Sequence, residues 1–212
     1  MILKRPAFFL DAQICTGCKT CMIACKDKNN LPMGVRWRRV VEFAGGDWVR
    51  LEDGTFSQNV FAYYISVSCN HCRDPICVQA CPSTAMNQDG HGIVTVDPQK
   101  CLGCRYCEWA CPYSAPQFDQ ALGQMTKCDF CREELEQGDL PTCVAACPTR
   151  ALQFGEYDQL EQAVRHGFGL LMAPLPPPVL TEPNFILAPH RDAKSGQTRT
   201  GAICNPEEVK DA

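Results

Sequence analysis

The sequence predicts an α+β chain built from repeated cysteine-bearing units, each a short strand followed by a cysteine loop and a short helix. Three observations predict it. First, sixteen of the 17 cysteines fall into four groups of four: Cys15, Cys18, Cys21 and Cys25; Cys69, Cys72, Cys77 and Cys81; Cys101, Cys104, Cys107 and Cys111; Cys128, Cys131, Cys143 and Cys147. Second, the first and third groups share the spacing C-x2-C-x2-C-x3-C, while the others keep its opening C-x2-C and closing C-x3-C. Third, the likeness extends beyond the cysteines. "DAQICTGC" (11–18) and "DPQKCLGC" (97–104) match at Asp, Gln, Cys, Gly and Cys, and strand-like "AFFL" and "GIVTV" precede them. One unit has been reused along the chain.

The composition narrows the chemistry. Seventeen is an odd number, so complete intramolecular pairing as disulfides is impossible, and disulfide scaffolds are typically short and secreted. The opening "MILKRPAFFLDAQIC" has only a four-residue apolar run and no twin arginine, so no secretory signal is read there. A net charge of -4 argues against a nucleic-acid binder. The most apolar stretch, "FGLLMAPL" (168–175), falls far short of the roughly 20 residues of a spanning helix. A role at a membrane would therefore depend on another chain.

Clustered thiols select soft metals, which leaves zinc and iron–sulfur clusters. A C-x2-C-x2-C loop can wrap three corners of an iron–sulfur cube. A fourth cysteine one helical turn later stands about 6 Å further along the axis. In two-cluster ferredoxins the fourth cysteine of such a run ligates the other cluster, and the wider last gap fits such a crossing ligand. Groups two to four end "CPSTA", "CPYSA" and "CPTRA", and the proline is expected to stop the helix and turn the chain into a strand. Four groups imply four 4Fe–4S clusters in two ferredoxin-like modules of βαββαβ type. Groups two and three are close in sequence and pair with each other. Groups one and four pair across them, so one module is inserted in the other. The expected boundaries are 1–30 with 120–155 for the first module, 31–59 for a β-rich cap, 60–119 for the second module and 156–212 for a short helix and an extended tail.

The stretches "CTGCKTCMIACKD", "EFAGGDW", "QNVFAYYISVSCNHCRDPICVQACPS", "CLGCRYCEWACPYSAPQ", "MTKCDFC" and "PNFILAP" make the chain resemble the iron–sulfur (B) subunits of dimethyl sulfoxide reductase-type membrane complexes. The resemblance implies crossed ligation. Cluster 1 would be held by Cys15, Cys18, Cys21 and Cys147, and cluster 2 by Cys128, Cys131, Cys143 and Cys25. Cluster 3 would be held by Cys69, Cys72, Cys77 and Cys111, and cluster 4 by Cys101, Cys104, Cys107 and Cys81. It implies an electron relay, in that order, between a molybdopterin catalytic subunit and an integral membrane quinol-oxidising anchor subunit. The complex would sit on the bacterial inner membrane, on the periplasmic face after export with its partner, with the cytoplasmic face as the alternative. Nitrate reductase relatives carry Trp where Cys104 stands, and formate dehydrogenase relatives usually add a membrane helix. Both departures favour a dimethyl sulfoxide, polysulfide or thiosulfate reductase.

Other features are read as supporting structure. "RWRRVVEFAGGDW" and "VFAYYISVS" are expected to form strands capping the clusters, with "RWRR" on a solvated face. His71 lies between Cys69 and Cys72, but a full cysteine set leaves it a second-layer or surface role. Arg105 and Lys127 would tune cluster potentials or simply be solvated. "EYDQLEQAVRHG" reads as a helix ending at Gly167, and "APLPPPVLTEPNFILAP" as an extended tail that cannot bury itself and lies along a partner. Cys204 is left as an exposed or structural thiol. No nucleotide fingerprint or nucleophile–base set is present, so no catalytic site is expected. The rival readings are a free polyferredoxin shuttle, a zinc module, and the same relay serving a tetrathionate reductase or formate dehydrogenase.

Overall fold

In the computed structural model, which describes residues 3–163, 172–193 and 201–209, short strands alternate with one- to two-turn helices. The first half contains β1 (Pro6–Asp11), α1 (Thr20–Lys28), β2 (Arg39–Gly45), β3 (Trp48–Arg50), β4 (Phe56–Gln58), β5 (Phe61–Val67), α2 (Ile76–Gln79), β6 (Met86–Gln88) and β7 (Val94–Val96). The second contains α3 (Tyr106–Ala110), β8 (Gln117–Asp119), β9 (Gln124–Thr126), α4 (Arg132–Gln137), α5 (Thr142–Ala145), β10 (Leu152–Glu156), α6 (Tyr157–Ala163), β11 (Phe185–Ala188), β12 (Gly201–Ile203) and α7 (Pro206–Val209).

Proline sets the helix lengths. α2, α3 and α5 all stop before a Cys-Pro pair, and the chain then enters β6, β8 and β10. The Pro ring cannot continue the helix and disfavours the α conformation at the cysteine before it. Cys25 is followed by Lys26 instead, and α1 runs on to Lys28. The loops ahead of the helices use left-handed residues at matching repeat positions. Gly17 and Lys19 have φ of 67° and 62°, and Gly103 and Arg105 have 66° and 64°.

Sequence-distant segments meet in the sheets. β1 pairs antiparallel with β10, Phe8 opposite Phe154, and α1 packs on α5. β6–β7 and β8–β9 are separate hairpins, and α2 packs on α3. β2 pairs with β5 along its whole length, from Arg39–Val67 to Gly45–Phe61. The Tyr64 ring of β5 lies so close to Gly17 that a side chain there would collide with it, so this sheet caps the first cysteine loop. Phe8, Phe130 and Phe154 form an aromatic cluster, with centroids 4.8 Å apart for Phe8–Phe130 and 5.3 Å for Phe130–Phe154. Burying each such side chain contributes about 1.5–3 kcal/mol.

Two expectations are corrected. The tail does bury part of itself. β11 joins the free edge of β1 in parallel, Phe8 opposite Phe185, and Phe185, Ile186 and Leu187 are buried. The run 184–188 lies between Pro183 and Pro189 and contains no proline, so its N–H groups can serve a ladder. Likewise β12 extends the β2 edge. The "RWRR" face is not solvated either, because Arg38 and Arg39 are buried at the entry to β2. The helix expected to end at Gly167 is α6 as far as Ala163, and Gly167 lies outside the described residues.

Candidate metal centres

Each cysteine set named above is drawn together from two parts of the chain. Cys15, Cys18 and Cys21 share a cavity with Cys147, which enters from the end of α5, together with Val40 and Ser66 of the β2 and β5 strands. Cys101, Cys104 and Cys107 share a second cavity with Cys81, from the end of α2. In the other two sets, electrostatic influence reports the proximity. Cys143 and Cys131 lie near enough to Cys25, and Cys25 to Cys128, to oppose ionisation of that thiol. Cys69 and Cys111 do the same to both Cys72 and Cys77.

The donor set fits an iron–sulfur cluster better than a lone ion. A zinc ion holds its sulfurs at about 2.3 Å, so they crowd together. The thiols stand around cavities instead, as a cube with one thiolate per corner requires. Burial also resists bare thiolates. It pushes the Cys25, Cys72 and Cys107 thiols up to about 12, with neighbouring cysteines adding to the effect. A cationic iron core offsets that cost.

Hydrogen-bond donors reach the sulfurs. The N–H groups of His71, Met86 and Met125 donate to Cys69, Cys81 and Cys101 Sγ, each at 3.4 Å, and Ser66 Oγ lies 3.3 Å from Cys21 Sγ. Asn70, between Cys69 and Cys72, is buried with neither side-chain polar atom partnered among the described residues. An unpaired buried amide is costly, and a cluster sulfur would accept a hydrogen bond from its Nδ2.

Neighbouring sets approach one another. Cys143 acts on Cys21, joining the first and second sets, and Cys69 acts on Cys128, joining the second and third. Cys77 and Cys107 share one buried group with Met86, Val94 and Met125, joining the third and fourth. Cys18 of the first set and Cys104 of the fourth are exposed, while Cys25, Cys128, Cys131 and Cys143 are all buried.

His71 is fully buried, which rules out its surface reading. Burial, with Lys127 nearby, holds the imidazole well below its ordinary range and so neutral. Its Nδ1 accepts the Val94 N–H at 3.0 Å. Lys127 is only 4% exposed, and its Nζ donates to the carbonyls of Val94 and Cys128, so the solvated reading is corrected for it too. Arg105 is half-exposed, paired with Glu108 at 2.6 Å and set over Phe118. Cys204 is exposed.

Sequence reasoning missed Arg38. Its Nη atoms donate to Ser66 Oγ (3.1 Å) and Ser68 Oγ (2.9 Å), and its guanidinium lies 4.3 Å above the Phe8 ring. Burial disfavours the charged form, but Cys143, Cys21, Cys128 and Cys25 outweigh it and hold the guanidinium above its ordinary value. No local signal in "RWRR" sets Arg38 apart, since Arg38 and Arg39 are consecutive and both buried.

A 4Fe-4S dicluster domain model matches residues 60–157, taking in groups two, three and four. The B subunit of the anaerobic dimethyl sulfoxide reductase of Escherichia coli (strain K12) is 49% identical over 95% of this chain and 97% of its own. The chain belongs to this family of dimethyl sulfoxide reductase B subunits. The Haemophilus influenzae member is 46% identical over 98% of this chain and 100% of its own. The thiosulfate reductase electron transfer subunit of Salmonella typhi is more distant, 37% identical over 71% of this chain and 76% of its own. The family carries iron–sulfur clusters, which accords with the donor sets described here.

Proposed function

We propose that this chain is the electron relay of a three-part reductase, carrying four 4Fe–4S clusters between a molybdopterin catalytic subunit and a membrane quinol-oxidising anchor subunit. The observation that supports the reading is the succession of cysteine sets from exposed Cys18, through the wholly buried Cys25, Cys128, Cys131 and Cys143, to exposed Cys104. In this reading Cys15, Cys18, Cys21 and Cys147 hold the first cluster, and Cys128, Cys131, Cys143 and Cys25 the second. Cys69, Cys72, Cys77 and Cys111 hold the third, and Cys101, Cys104, Cys107 and Cys81 the fourth. Each bound cluster would take up and release one electron at a time.

The chain's own residues hold, insulate and couple these centres. The Phe8–Phe130–Phe154 cluster and the β2–β5 sheet keep water from the inner sets. Exposed Leu102 and Trp109, 72% and 75% accessible beside the fourth set, offer an apolar face for docking. With every cysteine of a set engaged, no iron position stays open for substrate, so catalysis belongs to the partner. Among the described residues no helix is long and apolar enough to cross a membrane, which suits a peripheral chain on an anchor subunit. The periplasmic face of the bacterial inner membrane is the proposed location.

The domain proposal follows the pairings. One module joins 1–30 to 127–155, a second spans 68–126 so that the β8–β9 hairpin stays whole, and the cap includes β5 as well as 31–59. Dimethyl sulfoxide is the proposed terminal substrate, because the dimethyl sulfoxide reductase relatives are nearer in sequence than the thiosulfate reductase subunit.

The test is anaerobic expression of the complex with iron, acid-labile sulfide and zinc measured per chain. About sixteen irons with equal sulfide and four reducible 4Fe–4S signals in EPR are expected. Zinc without sulfide would overturn the relay, and about eight irons would overturn the four-cluster count.

A further inference from the structure

Arg38 presents an electrostatic problem. The side chain is 1% exposed, and among the described residues no Asp or Glu forms an ion pair with it. Its hydrogen-bond partners are neutral: Ser66 Oγ, Ser68 Oγ and, at 3.5 Å, the Ser66 carbonyl. Its Nε has no partner among the described residues. A buried guanidinium without an anion is strongly unfavourable, so negative charge must lie close by. The nearby groups able to carry it are the cysteines of the first two sets, Cys21 in one and Cys25, Cys128 and Cys143 in the other.

The backbone fixes this placement. Cys21 and Cys25 lie one turn apart on α1, so they share a helix face although they belong to different sets. The Arg38 main-chain N–H reaches Cys25, and its side chain reaches Cys21 through Ser66 Oγ, which is 3.3 Å from Cys21 Sγ. Ser68 and the Phe8 ring hold the guanidinium on its other sides. One residue thus touches both sets at the helix that joins them.

We propose that Arg38 is the fixed counter-cation shared by the first two clusters, raising the reduction potentials of both relative to those of the third and fourth. This rests on the four-cluster reading. A four-thiolate cluster gains one negative charge on one-electron reduction. A positive charge held nearby in a poorly screening interior favours that reduced state. Electrons arriving from the fourth cluster would then be drawn toward the catalytic end. The role differs from that of Lys127, whose ammonium is engaged by the carbonyls of Val94 and Cys128 near the second and third sets.

The experiment is an EPR-monitored redox titration of the assembled complex with Arg38→Gln, Arg38→Lys and Ser68→Ala, alongside an iron assay. Arg38→Gln should make the first two clusters at least about tenfold harder to reduce, a downward shift of about 59 mV, and leave the third and fourth in place. Arg38→Lys should restore most of the shift, because the charge is retained. Ser68→Ala removes a hydrogen bond from Arg38 Nη and one, at 3.4 Å, to the Cys69 carbonyl, alters no thiol, and should shift the same two signals in the same direction by less. A fully loaded Arg38→Gln complex with no shift, or with all four potentials moved equally, overturns the proposal. If Arg38→Gln loses iron, Ser68→Ala decides: a shift confined to the first two clusters supports the role, and unchanged potentials overturn it. A parent complex lacking about sixteen irons would sink the four-cluster reading itself, a failure visible before any variant is compared.

Discussion

The His71 imidazole stacks on the Phe130 ring with centroids 3.8 Å apart and planes 19° from parallel. His71 comes from the second cysteine group and Phe130 from the fourth, so this contact ties the two modules together. It lies where Cys69 and Cys128 approach each other. The stack is dry, and Val94 fixes the imidazole from the side. Phe130 also packs on Phe8 and Phe154. Phe130→Ala therefore removes a fully buried ring from a junction with little room to collapse, at an expected cost of about 3–5 kcal/mol. The unfolding midpoint by circular dichroism should fall accordingly, with iron lost from the second and third sets before the fourth. An unchanged midpoint would mean that the junction does not hold the modules.

Cys147 lies with Cys15, Cys18 and Cys21, not with the other cysteines of its own sequence group. Substitution by Ser should reveal this crossing. Cys147→Ser and Cys18→Ser should perturb the same EPR signal, each with loss or conversion of one cluster, at most about four irons. Cys25→Ser should instead perturb the signal altered by Cys131→Ser. If Cys147→Ser and Cys131→Ser share a signal, ligation is uncrossed.

Much of this was legible in the cysteine spacing, because a repeated loop must repeat its local geometry. The Cys-Pro endings located the stops of α2, α3 and α5, and the missing proline after Cys25 left α1 longer. What stayed hidden depended on long-range packing. The run 184–188 looks like any apolar tail until the free edge of β1 is known to lie beside it. Arg38 and Lys127 look like surface charges, since isolated charges usually are solvated. Their burial depends on the cysteine sets around Arg38 and the Val94 carbonyl beside Lys127, which come from residues distant in sequence.

Gly103 holds a φ of 66° in the third cysteine loop, and an added Cβ would strike the Gly123 carbonyl oxygen and come within 3.2 Å of the Phe118 ring. Backbone cannot yield as a flexible side chain can. Gly103→Ala should open the loop that positions Cys101 and Cys104, and the iron assay should show the fourth cluster missing while the others remain. Gly54 is the control. Its φ is 84°, but nothing lies within 4 Å of the position, so Gly54→Ala bears only the conformational cost of about 1 kcal/mol. It should keep every cluster. Full iron in Gly103→Ala would show that the close approach is not required.

Lys19 Nζ donates to Glu208 Oε1 at 2.7 Å, fastening α7 to the first cysteine loop. Hydrogen bonds from Lys19 and then Asn205 hold the Glu208 carboxyl below its ordinary value of 4.5. The unfolded carboxyl therefore takes up a proton first as the solution is acidified, and the stabilisation is present above pH 4.5 and lost as the pH falls through the folded value. Both side chains are about a third exposed, so the pair contributes less than about 1 kcal/mol and is weakened by salt. Amide exchange at 204–209 should be faster in Glu208→Gln than in the parent at neutral pH and low salt. That difference should shrink below pH 4.5, where the parent loses the same charge. A difference that persists in acid, or that ignores salt, would place the fastening in the neutral Asn205 contacts with Val40 and Glu42 rather than in the ion pair.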